Sequence, residues 1–258
     1  MKNQFTTKNQ SVDKVFTIIE YMSDMRTPLK LLELSKGIGF PSSTTLRLLT
    51  SLMDRGYVYQ DQETLKYSLT LKFCRIGDSV KSSLNITEIV HSYLLDISNK
   101  TGQTAYFAIE QDMMLVYLDT IKGNGFQTIT TKRIGHVAPL HAAGIGKLLL
   151  LNYSESQLMK LIHSKGLPRF TDNTLCTYES LKMELEKISK QGYAMDDQEC
   201  EEGIRCIAVP IKDYSGTIIG GISISGSTDQ ILPEKYESFL DILISASEAI
   251  SEKLGYKI

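Results

Sequence analysis

The chain has 258 residues, of which 42% are hydrophobic and 22% charged, a balance that is ordinary for a globular protein of one or two domains. It contains no apolar run of about 18 residues and its polar start lacks the apolar core of a signal peptide, so we expect a cytoplasmic protein rather than a membrane-spanning or secreted one. Residues 1–84 carry 12 Lys and Arg against 8 Asp and Glu, whereas the rest of the chain carries 16 against 22, so the N-terminal third is the basic part.

The N-terminal part has the pattern of a helix-turn-helix. Apolar residues at helical spacing predict helices at 11–24, 29–36 and 41–56. Gly37 and Gly39 follow the second helix, where glycine can adopt the left-handed turn that ends a helix. Three short helices with a glycine-containing turn before the third are typical of DNA-binding helix-turn-helix proteins.

The third predicted helix has two unlike faces. Leu46, Leu49, Leu52 and Met53 form an apolar stripe that we expect to face the core. The opposite face carries hydroxyl groups and a guanidinium, which suit the edges of bases and the phosphates of a DNA major groove. Together with Lys66 further along the chain, the candidate DNA-binding residues are Ser42, Ser43, Thr44, Thr45, Arg47, Thr50 and Ser51.

A short hairpin is predicted after the third helix, with strands at 57–60 and 65–69 and a polar turn at 61–64. Such a hairpin forms the wing of a winged helix, and Lys66 is its nearest positive charge to DNA. Asp61 and Glu63 argue against deep insertion into the minor groove. The alternative is a hairpin that only caps the three-helix core.

The remainder of the chain predicts an α+β domain. A linking helix at 70–84 leads to a helix at 85–100, which we expect Asn85 and Glu88 to begin with a capping box. Runs of strands alternate with grouped helices, which favours an antiparallel sheet with helices packed on it. The predicted strands are 104–109, 113–119, 126–134, 206–211 and 217–225, and the predicted helices are 142–151, 154–164, 178–191 and 233–254.

The last predicted strand carries Ser223 and Ser225 two residues apart, so both hydroxyls face the same side while Ile222 and Ile224 face the other. Gly144 opens a predicted helix, where unpaired backbone N–H groups can hold a carboxylate. This combination suits a small acid or hydroxy acid. The alternative is that the two serines line a solvated face of the sheet.

The sequence gives weaker support to three other functions: a thiol enzyme, a metal-binding protein and an interaction module. Cys206, His141 and Asp196 are the residue types of a nucleophilic thiol enzyme, but Cys206 is more typical of a small buried side chain. The acidic residues at 196–202 lack the ligand spacing of a calcium site, and the four cysteines lack that of a zinc finger, so we predict no metal and no cofactor. A pure interaction module would leave the hydroxyl-and-arginine face of the third helix unexplained.

Five segments together resemble the IclR family of bacterial transcriptional regulators, and their order and spacing cover the chain from about residue 11 to 255. They are PSSTTLRLL at 41–49, PLHAAGIGK at 139–147, GYAMDDQE at 192–199, GIRCIA at 203–208 and ISISG at 222–226. The resemblance implies a winged helix-turn-helix domain at 1–70, a linker helix at 71–85 and an effector-binding domain at 86–258 that is related to GAF sensor folds.

The resemblance also implies partners and binding residues. Members of the family bind an operator in double-stranded DNA and a small organic acid or aromatic effector, assemble as homodimers or dimers of dimers, and act as repressors or activators. Carried over by motif, the effector contacts are Gly144, Ile145, Asp196, Cys206, Ser223 and Ser225. Two positions depart from the family pattern: Ile145 is larger than the expected small residue, and Gly226-Ser227 replaces a common Gly-Pro.

Overall fold

The computed structural model describes residues 9–83, 85–123 and 134–257, and the chain divides into two compact units, 1–84 and 85–258. Among the described helices, none is long and apolar enough to cross a membrane. The finer division into a winged-helix domain, a linker and an effector domain at 1–70, 71–85 and 86–258 stays a prediction.

The described part of the first unit consists of three helices, a hairpin and a fourth helix that follows the hairpin, as the apolar spacing predicts. Its elements are α1 (Gln10–Met25), α2 (Leu31–Ile38), α3 (Ser42–Asp54), β1 (Val58–Gln60), β2 (Tyr67–Leu69) and α4 (Lys72–Ser83). Gly39, with φ of 71°, ends α2 in the left-handed conformation, which glycine adopts without steric cost. Ile18, Leu34 and Leu49 are fully buried at the centre of this unit, so the three helices share one core.

The second unit is organised by a six-stranded antiparallel sheet with the order β5-β4-β3-β8-β7-β6. The strands are β3 (Thr104–Gln111), β4 (Met114–Ile121), β5 (Val137–Pro139), β6 (Ala194–Asp197), β7 (Ile204–Lys212) and β8 (Ile218–Ser227). Strands β3 and β8 lie at the centre although 106 residues separate Gln111 and Ile218 in sequence, so the sheet depends on long-range pairing.

Helices cover both faces of this sheet, because successive strand residues point to opposite sides and both sides are apolar. Ala105 and Phe107 pack with α5 (Ile86–Thr101) and α9 (Tyr236–Lys253). Tyr106 and Ala108 face the other layer. That layer contains α6 (Gly144–Leu150), α7 (Glu155–Lys165) and α8 (Tyr178–Gln191). A 3₁₀ turn, Pro233–Lys235, precedes α9.

Several local predictions need correction. The capping box at Asn85 is wrong, because its side-chain amide donates to the Glu88 carboxylate at 2.9 Å instead of capping a backbone N–H. Strands β5 and β6 were not predicted from their residues, and β6 includes Asp196 and Asp197, the first two residues of the acidic segment at 196–202. The predicted strand at 126–134 lies outside the described residues except for Ile134, which is in a turn.

Candidate functional sites

The outer face of α3 is a solvent-exposed surface of mixed polar and apolar character. Ser43, Arg47, Thr50 and Ser51 are exposed, and Ser42 and Thr44 are half-buried at the start of the helix. The hydroxyls of Thr50 and Ser51 donate to the carbonyls of Leu46 and Arg47 at 3.0 and 3.2 Å. Each hydroxyl oxygen keeps acceptor capacity for an outside donor. The face can therefore offer one guanidinium and several hydroxyls to a ligand surface.

Two neighbouring residues of α3 lie on the opposite side of the helix from the side predicted for them. Thr45 is fully buried and its hydroxyl donates to the Pro41 carbonyl at 3.2 Å, which removes it from the side chains that could contact DNA. Leu46, predicted to join the core, is 42% exposed. The core side of the helix is instead formed by Thr45, Leu48, Leu49 and Leu52.

The hairpin after α3 is formed as predicted, with Val58 opposite Leu69 and Gln60 opposite Tyr67. Its turn is organised by Asp61, whose carboxylate accepts hydrogen bonds from the backbone N–H and the hydroxyl of Thr64 at 2.7 and 2.6 Å. These hydrogen bonds hold the pKa of Asp61 below its ordinary value, so the turn keeps a negative charge. Lys66 lies in this hairpin and is half-buried.

The second candidate site is a small cavity in the second unit, between the sheet and the start of α6. All six residues expected to contact an effector line it: Gly144, Ile145, Asp196, Cys206, Ser223 and Ser225. Five further residues complete the wall and were missed by sequence reasoning: Tyr106, Leu115, Tyr117, Ala143 and Cys200. The cavity has a volume of about 20 Å³, which suffices for one water molecule.

Strand register explains why residues so distant in sequence meet here. Asp196 of β6 lies opposite Cys206 of β7, and Cys206 lies opposite Ser225 of β8, so three polar side chains form one row across the sheet. Ser223 lies opposite Tyr106 of β3. Because Ile222 and Ile224 are fully buried in the cluster on the other face, the two serines point toward α6 as their spacing predicts.

Gly144 and Gly221 let α6 approach the sheet closely, and Gly146 lets α6 approach the segment that precedes it. A Cβ on Gly144 would lie 3.1 Å from the Ala208 side chain, and a Cβ on Gly146 would lie 2.4 Å from the Leu140 carbonyl oxygen. The unusually large Ile145 is accommodated by Gly221, since a Cβ there would lie 2.9 Å from an Ile145 methyl. Gly144 thus has a packing role besides any role in ligand binding.

Asp196 presents a buried carboxyl group at the cavity wall. One of its oxygens accepts the backbone N–H groups of Glu199 and Cys200 at 2.8 and 3.3 Å, which fixes the loop that follows β6. Burial raises the pKa of Asp196, while these hydrogen bonds and the nearby Lys147 oppose the rise. The side chain is therefore a structural acceptor that also borders the cavity.

A buried charged cluster lies next to Asp196, which accepts the backbone N–H of one of its members, Glu199. The Lys147 ammonium of α6 is fully buried, 2.5 Å from a Glu199 carboxylate oxygen and 3.6 Å from a Glu184 oxygen of α8. Burial raises the pKa of Glu199 from 4.5 to about 7, although the attraction of Lys147 acts in the opposite direction. The cluster ties α6, α8 and the loop after β6 together.

The residues of the alternative thiol-enzyme hypothesis are not assembled. Cys206 and Asp196 line the cavity, but His141 is outside its wall, with Nε2 3.1 Å from the Pro168 carbonyl oxygen. Burial lowers the pKa of His141, so the neutral ring donates this hydrogen bond. Within the described ranges, no group of three or more His, Cys, Asp or Glu side chains could hold a metal ion.

Both units match known family models. The model of the IclR helix-turn-helix domain matches residues 11–62, and the model of the bacterial transcriptional regulator IclR C-terminal domain matches residues 78–252. The second match alone covers more than half of the chain.

Whole-chain relatives agree with the family models. The HTH-type transcriptional regulator XynR of Escherichia coli is 34% identical over 247 residues, covering 96% of this chain and 98% of its own. The transcriptional repressor IclR of the same organism is 31% identical over 252 residues, covering 97% of this chain and 92% of its own.

A solved structure is similar over the same extent. The crystal structure of the Thermotoga maritima IclR protein is 31% identical, covers 95% of this chain and 99% of its own, and superimposes with a TM-score of 0.63. This chain therefore belongs to the IclR family and is a DNA-binding transcription regulator with an N-terminal helix-turn-helix domain and a C-terminal effector-binding domain.

Proposed function

We propose that this regulator binds its operator through the outer face of α3 and changes its DNA affinity when a small polar organic compound occupies the cavity beside α6. It acts in the cytoplasm as a homodimer or a dimer of dimers, as a repressor or an activator, and without enzymatic activity. The observation that carries the proposal is the convergence on one cavity of six residues that come from four separate parts of the sequence.

Among the candidate DNA-binding residues, Arg47 has the side chain best suited to contact a base. It is exposed on α3 and carries a planar guanidinium that can pair bidentately with a guanine, while Ser43, Thr44 and Thr50 can bond base edges or phosphates. Lys66 of the hairpin adds a charge toward the phosphate backbone. A dimer would use two such faces on a two-fold-related operator.

On the effector side, the chemistry of the wall favours a compound with both acceptor and donor groups. The hydroxyls of Ser223 and Ser225 and the first backbone N–H groups of α6 can donate to a carboxylate. Asp196 can accept from a hydroxyl of the same compound. A small hydroxy acid satisfies both, and the rings of Tyr106 and Tyr117, whose centroids are 5.4 Å apart, would also contact a small aromatic acid.

DNA binding and effector binding are coupled only if the effector binds one arrangement of the DNA-binding domains more tightly than the other. A ligand with equal affinity for both arrangements does not change the equilibrium between them. Substitutions in the cavity should therefore remove the response to the effector and leave binding to the operator intact.

The test uses the purified full-length protein and the DNA immediately upstream of its own gene, at two salt concentrations and with unrelated DNA as competitor. We expect binding that resists the competitor and weakens with salt. A panel of small carboxylic, hydroxycarboxylic and aromatic acids is then screened for a change in that affinity. If the upstream DNA is not preferred, the same assay is run on genomic fragments.

The double variant Ser223→Ala/Ser225→Ala should bind the same DNA and lose the response to the active compound. Ser227→Ala is the matched control, since Ser227 lies further along the same face of β8 but outside the cavity wall. Equal loss of response in the control, or loss of DNA binding together with the response in a folded double variant, would contradict the cavity assignment.

A further inference from the structure

Leu46 is an apolar side chain on an otherwise polar surface of α3. It is 42% exposed, and its neighbours one helical turn away are the exposed Ser43 and Thr50. Its sequence neighbour Arg47 is exposed as well, whereas the buried side of the helix is completed by Thr45 and Leu48. The surface that would face DNA therefore contains one aliphatic group among hydroxyls and a guanidinium.

The chemistry of a leucine restricts what it can contact on a duplex. It has no hydrogen-bonding group, so it gains nothing from phosphates or from the donors and acceptors of base edges. The major groove presents one aliphatic group, the 5-methyl of thymine, and apolar side chains recognise thymine by contacting it. Burying a leucine against a polar edge instead would leave that edge without a partner.

We propose that Leu46 is a specificity-determining residue of operator recognition and selects a thymine by contact with its 5-methyl group. This inference rests on the proposed use of α3 in operator binding. Arg47 and Leu46 then act as a pair: the arginine supplies hydrogen bonds to one base, and the leucine supplies the apolar contact to a nearby thymine.

The experiment first identifies the preferred DNA and then removes single methyl groups. The purified full-length protein selects duplexes from a random-sequence library, and each thymine of the selected site is replaced in turn by deoxyuracil, which differs only by the missing methyl. We expect one thymine in each half-site whose replacement weakens binding about fourfold. This factor corresponds to about 0.8 kcal/mol, the contribution of one buried methyl group.

The assignment to Leu46 comes from a double-mutant cycle. In Leu46→Ala the same replacement should have little effect, because the side chain that contacts the methyl has been removed. Leu46→Met, which keeps an apolar group of similar reach, should retain most of the dependence. Leu32→Ala is the control, since Leu32 is 73% exposed in the same unit but lies on α2; it should respond to deoxyuracil like the wild-type protein.

Each result has a distinct meaning. A selected site at which no thymine depends on its methyl, or at which Leu46→Ala keeps the full dependence, overturns the role of Leu46 and leaves the proposed operator binding intact. If no sequence is enriched from the library by a protein whose circular dichroism shows it folded, the proposed operator binding itself fails.

Discussion

The two candidate sites of this regulator are opposite in their physical setting. On α3 the binding groups are exposed to water, and a partner would meet Arg47 and the hydroxyls directly. In the second unit the binding groups enclose a small space, Asp196 and Ser223 are buried, and the fully buried Lys147 forms an ion pair with Glu199 in the loop that Asp196 fixes. Side chains of the first site can change without disturbing the fold, whereas side chains of the second also hold their unit together.

This difference separates two kinds of substitution effect. Exposed charges are screened by salt and contribute little to folding, so changes on α3 should alter DNA affinity and spare stability. Buried charges are desolvated and leave an unpaired partner when one is removed, so changes in the cluster of Lys147, Glu184 and Glu199 should alter stability first.

The largest effect is expected for Lys147→Met. It would leave the Glu199 and Glu184 carboxylates without their buried cation, and we expect the free energy of unfolding to fall by about 3–5 kcal/mol at pH 8, measured by urea denaturation. Lys187→Met is the control, since Lys187 is exposed and pairs with the same Glu184 at 3.4 Å; its loss should be about 0–1 kcal/mol. Equal losses would show that the burial of Lys147 is unimportant.

The next effect is a dependence of stability on pH that Glu199 controls. Its pKa is raised to about 7 in the folded protein by burial, while Lys147 lowers it and Asp196 and Glu184 raise it further. A raised folded-state pKa means that the contribution of Glu199 to stability is complete below pH 4.5 and is lost as the pH rises through about 7. Between pH 4.5 and pH 8, the free energy of unfolding of the wild-type protein should fall by up to about 3 kcal/mol relative to that of Glu199→Gln.

Urea denaturation at several pH values measures this difference. Glu186→Gln, which removes an exposed carboxylate from the same helix as Glu184, provides the comparison. A wild-type-minus-variant difference for Glu199→Gln that does not change between pH 4.5 and 8, or one matched by Glu186→Gln, would contradict the burial effect.

A smaller effect on a different quantity is expected for Arg47→Ala. The free energy of operator binding should become less favourable by about 1–3 kcal/mol. The free energy of unfolding should change by less than about 0.5 kcal/mol, because the side chain is exposed. Arg75→Ala, which removes one positive charge from α4, is the control. Gel-shift titration at fixed salt measures the affinity, and no change for Arg47→Ala would exclude the residue from the interface.

The smallest effect is expected for Thr45→Val, which keeps the branched shape and removes the buried hydroxyl. The lost hydrogen bond to the Pro41 carbonyl should lower the free energy of unfolding by about 1 kcal/mol and leave operator affinity unchanged. Ser43→Ala should do the reverse, since Ser43 is exposed. A loss of DNA affinity in a stable Thr45→Val protein would restore Thr45 to the binding surface.

The outward and inward sides of α3 show the limit of pattern reasoning within one helix. Side-chain polarity placed Leu46 in the core and left Thr45 among the surface residues. A threonine can be buried at low cost when its hydroxyl donates to the carbonyl four residues earlier, as Thr45 does to Pro41. The helix itself was predicted correctly because its period extends over the whole segment, whereas the exact orientation depends on the packing of α1 and α2.

Strands at the edges of the sheet were the least predictable elements. β6 contains Asp196 and Asp197, which disfavour strands, and it forms because its backbone pairs with β7 from Ala194 opposite Ala208 to Asp197 opposite Arg205. The inner strands β7 and β8 could be predicted, since both their faces are buried and their sequences are rich in β-branched residues.

The cavity was predictable only in part. Six of its residues follow from motifs and from the spacing of Ser223 and Ser225. Tyr106, Tyr117 and Cys200 carry no such signal, because they join the wall through strand register and through the loop that Asp196 fixes. Likewise, nothing near Lys147 in the sequence shows that its partner is Glu199, 52 residues away.

The volume of the cavity has a consequence for the response of the regulator. Its space of about 20 Å³ holds one water, which has a single heavy atom, whereas even the smallest organic acid has three, so the wall has to widen before an effector fits. The measured affinity then equals the intrinsic affinity reduced by the fraction of molecules already widened. A weak effector can consequently make excellent contacts, and a substitution that merely loosens the wall can make the regulator respond at lower metabolite concentrations.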